Sequence, residues 1–260
     1  MGESVRAGRD DKGGEAAAPA VLEGQISIEA ALQARSREVY RILIRRDKRE
    51  EPALVRLLQR ARAAGVPVQR VGEATIAEHA SGQSHGGVIA LVGPRRFVGL
   101  QDLIAGKAQP CVVMLDGVED PFNFGDAMRS LYAAGIDGVV VRPRNWTSAA
   151  GIVGRASAGA AELMPMAVAE TALDAAAFFR AQGLAVACAV KRNAVSIYEA
   201  DLARPLFLVI GGEKRGISRP LVEQADLLLQ IPYGRPFAAS LGTASATAVM
   251  AFEMQRQRRG

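Results

Sequence analysis

Residues 206–218 read LFLVIGGEKRGIS, and residues 227–253 read LLLQIPYGRPFAASLGTASATAVMAFE. The apolar run Leu206 to Ile210 stops at a glycine pair, the pattern of a buried strand. Gly211 and Gly212 can bring backbone amides close to a ligand. Glu213 follows at once, so a carboxylate stands at the carboxyl end of that strand. In parallel α/β sheets that end carries the ligand crevice. A second apolar run, Leu227 to Ile231, stops at Pro232. After a short loop, Ser240 is expected to open a helix of Ala, Thr and Ser, whose short side chains allow close packing.

The order strand, Gly-Gly-Glu, strand, Pro, loop, Ser-Leu, small-residue helix resembles two motifs of the SpoU/TrmH family. These are RNA ribose 2′-O-methyltransferases of the SPOUT superfamily. The matching residues are Gly211-Gly212-Glu213-Lys214-Arg215-Gly216, then Ile231-Pro232 and Ser240-Leu241-Gly242. Gly242 departs from the pattern, since the family carries Asn there. The change removes one donor and one acceptor, which Thr243 or Ser245 could replace. Upstream, residues 116–129 contain Asn123, Gly125 and Arg129, which match the family's first motif, N-x-G-x-x-x-R. Asp126 reads as the N-cap of a helix from Ala127 to Ala134, with Gly135 beyond its end. On that reading Arg129 lies in the first turn.

The chain has 260 residues, enough for one large or two modest domains. A net charge of +5 points weakly toward a polyanionic partner. The two cysteines, Cys111 and Cys188, sit inside apolar runs and read as reduced core residues, with no metal or disulfide pattern. Only two histidines, His79 and His85, are present, which argues against a His-based triad or a zinc site. No apolar run has the length of a membrane span, and no signal-peptide pattern opens the chain, so a cytoplasmic protein is expected.

Residues 1–20 carry almost no large apolar side chains and are expected to be disordered. Residues 21–94 read as a small α/β unit. Its expected elements are a helix from Ile28, a strand at Val39–Ile44 and a helix at Pro52–Ala64. A strand at Val66–Val71, a short helix at Thr75–Ala80 and a strand at Gly87–Val92 follow. This order, with Ser84-His85-Gly86-Gly87-Val88 matching a His-x-Gly-Val turn, resembles the substrate-binding domain of the rRNA-directed members. Basic residues crowd it, among them Arg35, Arg37, Arg41, Arg45, Arg46 and Arg49. Such a cluster is either an RNA footprint or a solvated face with Glu38, Glu50 and Glu51 as partners. Residues 95–107 read as a linker with a short helix.

The second domain, 108–260, is expected to hold a roughly six-stranded parallel sheet with helices between. The strands fall at Cys111–Leu115, Gly138–Val141, Met164–Val168, Leu184–Val190 and the two C-terminal runs. The segment Asn145 to Ala161 resembles the family's following loop and helix. Periodicity shows an α/β domain only; the trefoil knot is implied by the resemblance.

The resemblance further implies methyl transfer from S-adenosylmethionine to a ribose 2′-hydroxyl, with no metal. It implies rRNA, 23S in particular, because of the accessory domain, with tRNA as the other substrate. A non-catalytic ribosome-assembly factor on the same scaffold is the contrasting reading, supported by Gly242. The implied catalytic residues are Asn123, Arg129, Glu213 and Ser240. An arginine base is awkward at a pKa above ~12. Arg129 therefore suits orientation of a phosphate and stabilisation of the developing alkoxide. A substrate phosphate oxygen or Glu213 then takes the proton. Ser240 would bond the substrate or close the cofactor loop, or serve as the helix N-cap. The implied cofactor groups are backbone atoms at Gly211, Gly212, Ile231, Pro232 and Leu241. Arg41, Arg45, Arg46 and Arg49 are the implied RNA contacts, and a homodimer is implied through the C-terminal domain.

Overall fold

The computed structural model describes residues 19–143 and 149–259. Residues 1–18, most of the expected tail, and the start of the expected loop at Asn145–Ser148 lie outside the described residues. Ala20, assigned to the tail from sequence, is buried and opens a strand, β1 (Ala20–Glu23). The tail's low apolar content masked it, because the strand is only four residues long.

The first sheet has the order β1-β4-β2-β3, with β2 at Val39–Arg45, β3 at Val68–Val71 and β4 at Val88–Val92. β2 pairs antiparallel with β4 and parallel with β3. Helices α1 (Gln25–Ala34) and α2 (Pro52–Ala63) cover one face. Leu22, Ile28, Ile42, Ile44, Leu54, Leu57, Val88 and Val92 form the core there. Ile76 of α3 (Glu73–His79) packs on the other face with Leu43 and Ile89. Pro52 stands in the first turn of α2, where its missing N–H costs nothing.

The second sheet is parallel throughout and has seven strands in the order β7-β6-β5-β10-β8-β11-β9. Their ranges are β5 Cys111–Asp116, β6 Gly138–Val141, β7 Met166–Val168, β8 Ala185–Ala189, β9 Val195–Ser196, β10 Leu206–Gly211 and β11 Leu227–Gln230. The sequence hides β9 because two residues give no periodicity. Side chains alternate between faces, as strands require. Val113 and Leu115 join α4 (Pro121–Ala133), α5 (Ala150–Ala156), α6 (Ala160–Leu163) and α9 (Thr243–Arg259). Val112 and Met114 join α7 (Ala172–Ala181) and α8 (Arg219–Gln224). Phe179 stacks on Phe207 on that second face, with ring centroids 4.5 Å apart. Cys111 and Cys188 are buried and unbridged. The strand order is consistent with the trefoil knot that the resemblance implies.

Two helices start elsewhere than the sequence suggests. α4 begins at Pro121, with Asp120 as its N-cap accepting from the Asn123 amide at 2.8 Å. Asp126 is therefore inside the helix. Gly125 does not break α4 because it marks a close approach: an added Cβ would clash with Ala156 of α5. α9 begins at Thr243 rather than Ser240.

The two sheets are joined through buried charges. Glu162, on α6, is 2% exposed and accepts from Arg37 Nε at 3.0 Å, from Ser36 Oγ and from Arg95. Reciprocally, Glu23 of β1 pairs with Arg155 of α5 and accepts from the Ser81 amide. Segment 95–107 is correspondingly ordered: the Val98 amide donates to the Met166 carbonyl at 2.9 Å, beside β7.

Candidate active site

The site lies where the two central strands end. Past β5 the chain turns at Gly117, φ 76°, and enters α4. Past β10 it folds back over residues 212–216. The Gly212 amide donates to the Asp116 carbonyl at 2.7 Å, and the Gly216 amide to the Gly212 carbonyl at 2.9 Å. A Cβ on Gly211 would strike the backbone of Gly216 and Ile217; one on Gly212 would strike Gly117. The glycine pair thus lets two loops close on each other. The reading from sequence assigned the close approach to a ligand; the two glycines also make this loop-to-loop approach.

That closure delivers Glu213 to the N-terminal turn of α4. Asn123 Nδ2 donates to Glu213 Oε1 at 3.0 Å, and the Thr243 amide approaches the same oxygen at 3.4 Å. A helix N-terminus favours a nearby carboxylate. Gly242 leaves open space here: an added Cβ would sit 3.6 Å from Glu213 Oε1, an ordinary contact.

A cavity of about 730 Å³ opens beside Glu213. Gly211, Gly212, Glu213, Ile231, Ser240 and Leu241 line it, as expected from sequence. Pro232 adjoins Ile231 but does not line it. Thr243, named from sequence as a replacement for the family Asn, also lines it, as do Tyr233 and Met250, which sequence reasoning missed. The Leu241 amide donates to the Tyr233 hydroxyl at 3.0 Å, which braces the loop over the cavity. The placement of Tyr233 directly after Ile231-Pro232, at a strand's carboxyl end, was the available signal. Lys191, just past the end of β8, also lines the cavity and donates to the Ala238 carbonyl.

A second cleft, about 420 Å³, adjoins the first and shares Glu213 and Thr243 with it. Asn123 lines this second cleft and not the first. The carboxylate of Glu213 therefore stands on the wall between two compartments.

Arg129 is not brought to this place. Because α4 starts at Pro121, Arg129 lies in the third turn. From Asn123 it is about 9 Å along the helix axis and about 120° around it. It is exposed and lines none of the cavities described here. Arg41, Arg46 and Arg49 are exposed on the first sheet's unit, away from these cavities, while Arg45 bonds Asp47 at 2.6 Å. Arg37, counted in the basic cluster from sequence, is buried against Glu162 and unavailable to RNA.

The sequence profile of the SpoU rRNA methylase family matches residues 110–252. The chain belongs to the SpoU rRNA methylase family. Residues 21–98 match a second profile, RNA 2′-O ribose methyltransferase substrate binding. Among curated relatives, the 23S rRNA (guanosine-2′-O-)-methyltransferase RlmB of Haemophilus influenzae is 33% identical over 86% of this chain and 90% of its own. The RlmB of Shewanella oneidensis is 30% identical over 81% of this chain and 87% of its own. An AdoMet-bound rRNA methyltransferase from Sinorhizobium meliloti superposes with a TM-score of 0.76 at 26% identity, covering 91% of this chain and 87% of that one. The SpoU methyltransferase AviRb from Streptomyces viridochromogenes shares the fold, with a TM-score of 0.77 at 20% identity over 92% and 90%.

This SpoU member is an RNA ribose 2′-O-methyltransferase that uses S-adenosylmethionine. The larger cavity suits that cofactor. Its volume lies within the ~300–1,000 Å³ range of small-molecule sites. Its walls combine apolar side chains, Ile210, Ile217, Val222 and Met250, with loop backbone at Gly211, Ile231 and Leu241. That mixture matches an adenine and a thioether chain with a few polar ends.

Proposed function

We propose that this SpoU member methylates the 2′-hydroxyl of a guanosine in 23S rRNA. The observation that carries the reading is the Asn123–Glu213 contact on the wall shared by the two compartments. The larger one holds the cofactor, through Gly211, Gly212, Ile231 and Leu241, with Pro232 ending the strand run beside Ile231. The smaller one receives the target ribose. Curated relatives named 23S rRNA (guanosine-2′-O-)-methyltransferase match this chain over most of its length.

S-adenosylmethionine supplies the electrophilic methyl group. The chain's own residues hold the acceptor. Asn123 fixes Glu213 by a charge-assisted bond. Glu213, at the compartment boundary, accepts the proton of the 2′-hydroxyl or orients it toward a substrate phosphate. Ser240, at the mouth of the cofactor cavity, bonds the substrate. Confining both reactants to adjoining compartments supplies the alignment that in-line displacement needs.

Residues 21–94 form the RNA-holding unit, through Arg41, Arg45, Arg46 and Arg49. Residues 95–107 connect it to the transferase unit, 108–260. The protein works as a homodimer in the cytoplasm. Phe122 and Arg129, seven residues apart, share the exposed face of α4, and Phe252 is exposed on the neighbouring α9. Pairing that face with a second copy covers the aromatics and carries Arg129 to the partner's ribose compartment. There it stabilises developing negative charge.

The test is transfer of labelled methyl from S-adenosylmethionine to 23S and 16S rRNA and to tRNA, with the modified ribose mapped. Label confined to one guanosine of 23S rRNA supports the reading. Label in tRNA alone, or none, overturns it.

A further inference from the structure

A third cavity, about 220 Å³, continues the run of compartments. It shares Gly117, Val118, Glu119 and Lys214 with the ribose cleft, so the two are contiguous. Three cations line it: Arg142, Lys214 and Arg215. Two carboxylates accompany them. Lys214 Nζ lies 2.7 Å from Glu119 Oε2, on an exposed edge. Asp116 is 3% exposed and accepts from Arg142 Nε at 2.5 Å.

The Asp116–Arg142 bond is the informative one. It uses only Nε, so Asp116 leaves both terminal nitrogens of a half-exposed guanidinium unengaged, in a residue that lines the cavity. An arginine fixed in this way presents a planar fork that fits phosphate in two parallel bonds. Arg215 is exposed and makes no ion pair among the described residues. The set therefore keeps one net positive charge after both carboxylates are matched. The volume is below the ~300 Å³ of sites for drug-sized ligands. The cavity's cationic lining suits a phosphodiester.

We infer that this cavity binds a backbone phosphate of the substrate RNA, at a linkage flanking the nucleotide whose ribose occupies the adjoining cleft, with Arg142 and Arg215 as its ligands and Asp116 as the residue that positions Arg142. This rests on the assignment of the second cleft to the target ribose. It adds a contact that registers the strand, because phosphate contacts position a nucleic acid without reading its sequence.

The test uses the full chain and a short RNA bearing the mapped target, with S-adenosylhomocysteine present to stop turnover. A 2′-deoxy methylphosphonate replaces each flanking linkage in turn, other than the one at the target's own 3′-oxygen. One linkage should weaken wild-type binding and make the salt slope shallower by about 0.7. Arg142→Ala and Arg215→Ala should each weaken binding to native RNA and lose little more on the neutral linkage. Their S-adenosylmethionine affinity should match wild type. Asp116→Asn should weaken binding less than Arg142→Ala, since the fork remains but is no longer held. Arg219→Ala, an exposed pair elsewhere on the surface, should leave the slope unchanged. If losses from protein and RNA changes simply add at every linkage, while wild type still transfers methyl, the phosphate site is wrong and the transferase reading stands. If wild type transfers no methyl to any ribose, both fail together.

Discussion

Asn123 Nδ2 donates to Glu213 Oε1 across 3.0 Å, tying the first turn of α4 to the loop after β10. The two residues are 90 positions apart in sequence, and the contact forms only because two glycine-containing loops close on each other. Asn123→Ala should therefore lower single-turnover methyl transfer. A hydrogen bond to a charged group contributes roughly 1.5–3 kcal/mol, so a drop of about ten- to a hundredfold is expected. Cofactor affinity by calorimetry should change little, since Asn123 lines the second cleft and not the first. A variant with wild-type turnover would remove Asn123 from the machinery.

Gly242 bears on the same carboxylate. Its backbone is not in the left-handed region, and a Cβ there would lie 3.6 Å from Glu213 Oε1. Gly242→Asn should thus fold normally and add a second amide donor to Glu213. Transfer at or above the wild-type rate is expected, measured with cofactor saturating. A fall of tenfold or more would mean that the open space at this position is needed by substrate.

Glu162 joins the two sheets by accepting from Ser36, Arg37 and Arg95. Glu162→Ala would leave two guanidinium groups buried without their carboxylate, which costs about 3–5 kcal/mol. A melting temperature lower by roughly 10 °C follows for a chain of this size. Glu162→Gln keeps an acceptor and should lose less. The exposed Arg219–Glu223 pair is the contrast: Arg219→Ala should cost under about 1 kcal/mol. Equal melting of the Glu162 and Arg219 alanine variants would show that this junction contributes little to stability.

Burial pushes the thiols of Cys111 and Cys188 up to about 12. At pH 8 the folded protein should react with a thiol reagent over hours, and both groups should label at once in guanidinium. The sign of the linkage follows. The folded thiols stay neutral while the unfolded ones ionise from about 8.5. Their contribution to stability is present below that value and is lost as pH rises toward 12. Rapid labelling of the native protein would contradict the burial.

The parallel sheet was legible because β5, β6, β8 and β10 are buried on both faces and read as continuous apolar runs. The larger cavity was legible through Gly211 and Ile231, which stand at strand ends. Arg129 was misplaced for a local reason. Gly125 and Asp126 looked like the start of a helix, yet Asp120 and Pro121 supply the stronger cap, and Gly125 is a packing contact with Ala156. The Glu162 cluster was invisible because its partners lie far off in sequence, and Tyr233 went unread in a loop without periodicity, although it follows Ile231-Pro232 at a strand's end. The short strands β1 and β9 fall below the length at which alternation can be recognised.

Arg129 supplies the last prediction, and its position dictates the design. It is exposed in the third turn of α4, on one face with Phe122, and lines none of the cavities described here. A role at the ribose then requires that α4 meet a second copy. Arg129→Ala and Glu213→Ala should each be inactive alone, with Arg129→Ala retaining cofactor affinity. Arg129→Lys should not rescue, because a point charge lacks the planar fork. Mixed in equal amounts and allowed to exchange, the two inactive proteins should regain transfer. Half the dimers would be mixed, each with one site that has both residues intact, so about a quarter of the wild-type activity is expected from a two-fold symmetric pair. Light scattering should show a dimer at micromolar concentration. Recovery only to background, with exchange verified by differently tagged subunits, would place Arg129 within its own chain's chemistry or outside the chemistry altogether. Transfer by Arg129→Ala alone at near the wild-type rate would remove its role entirely.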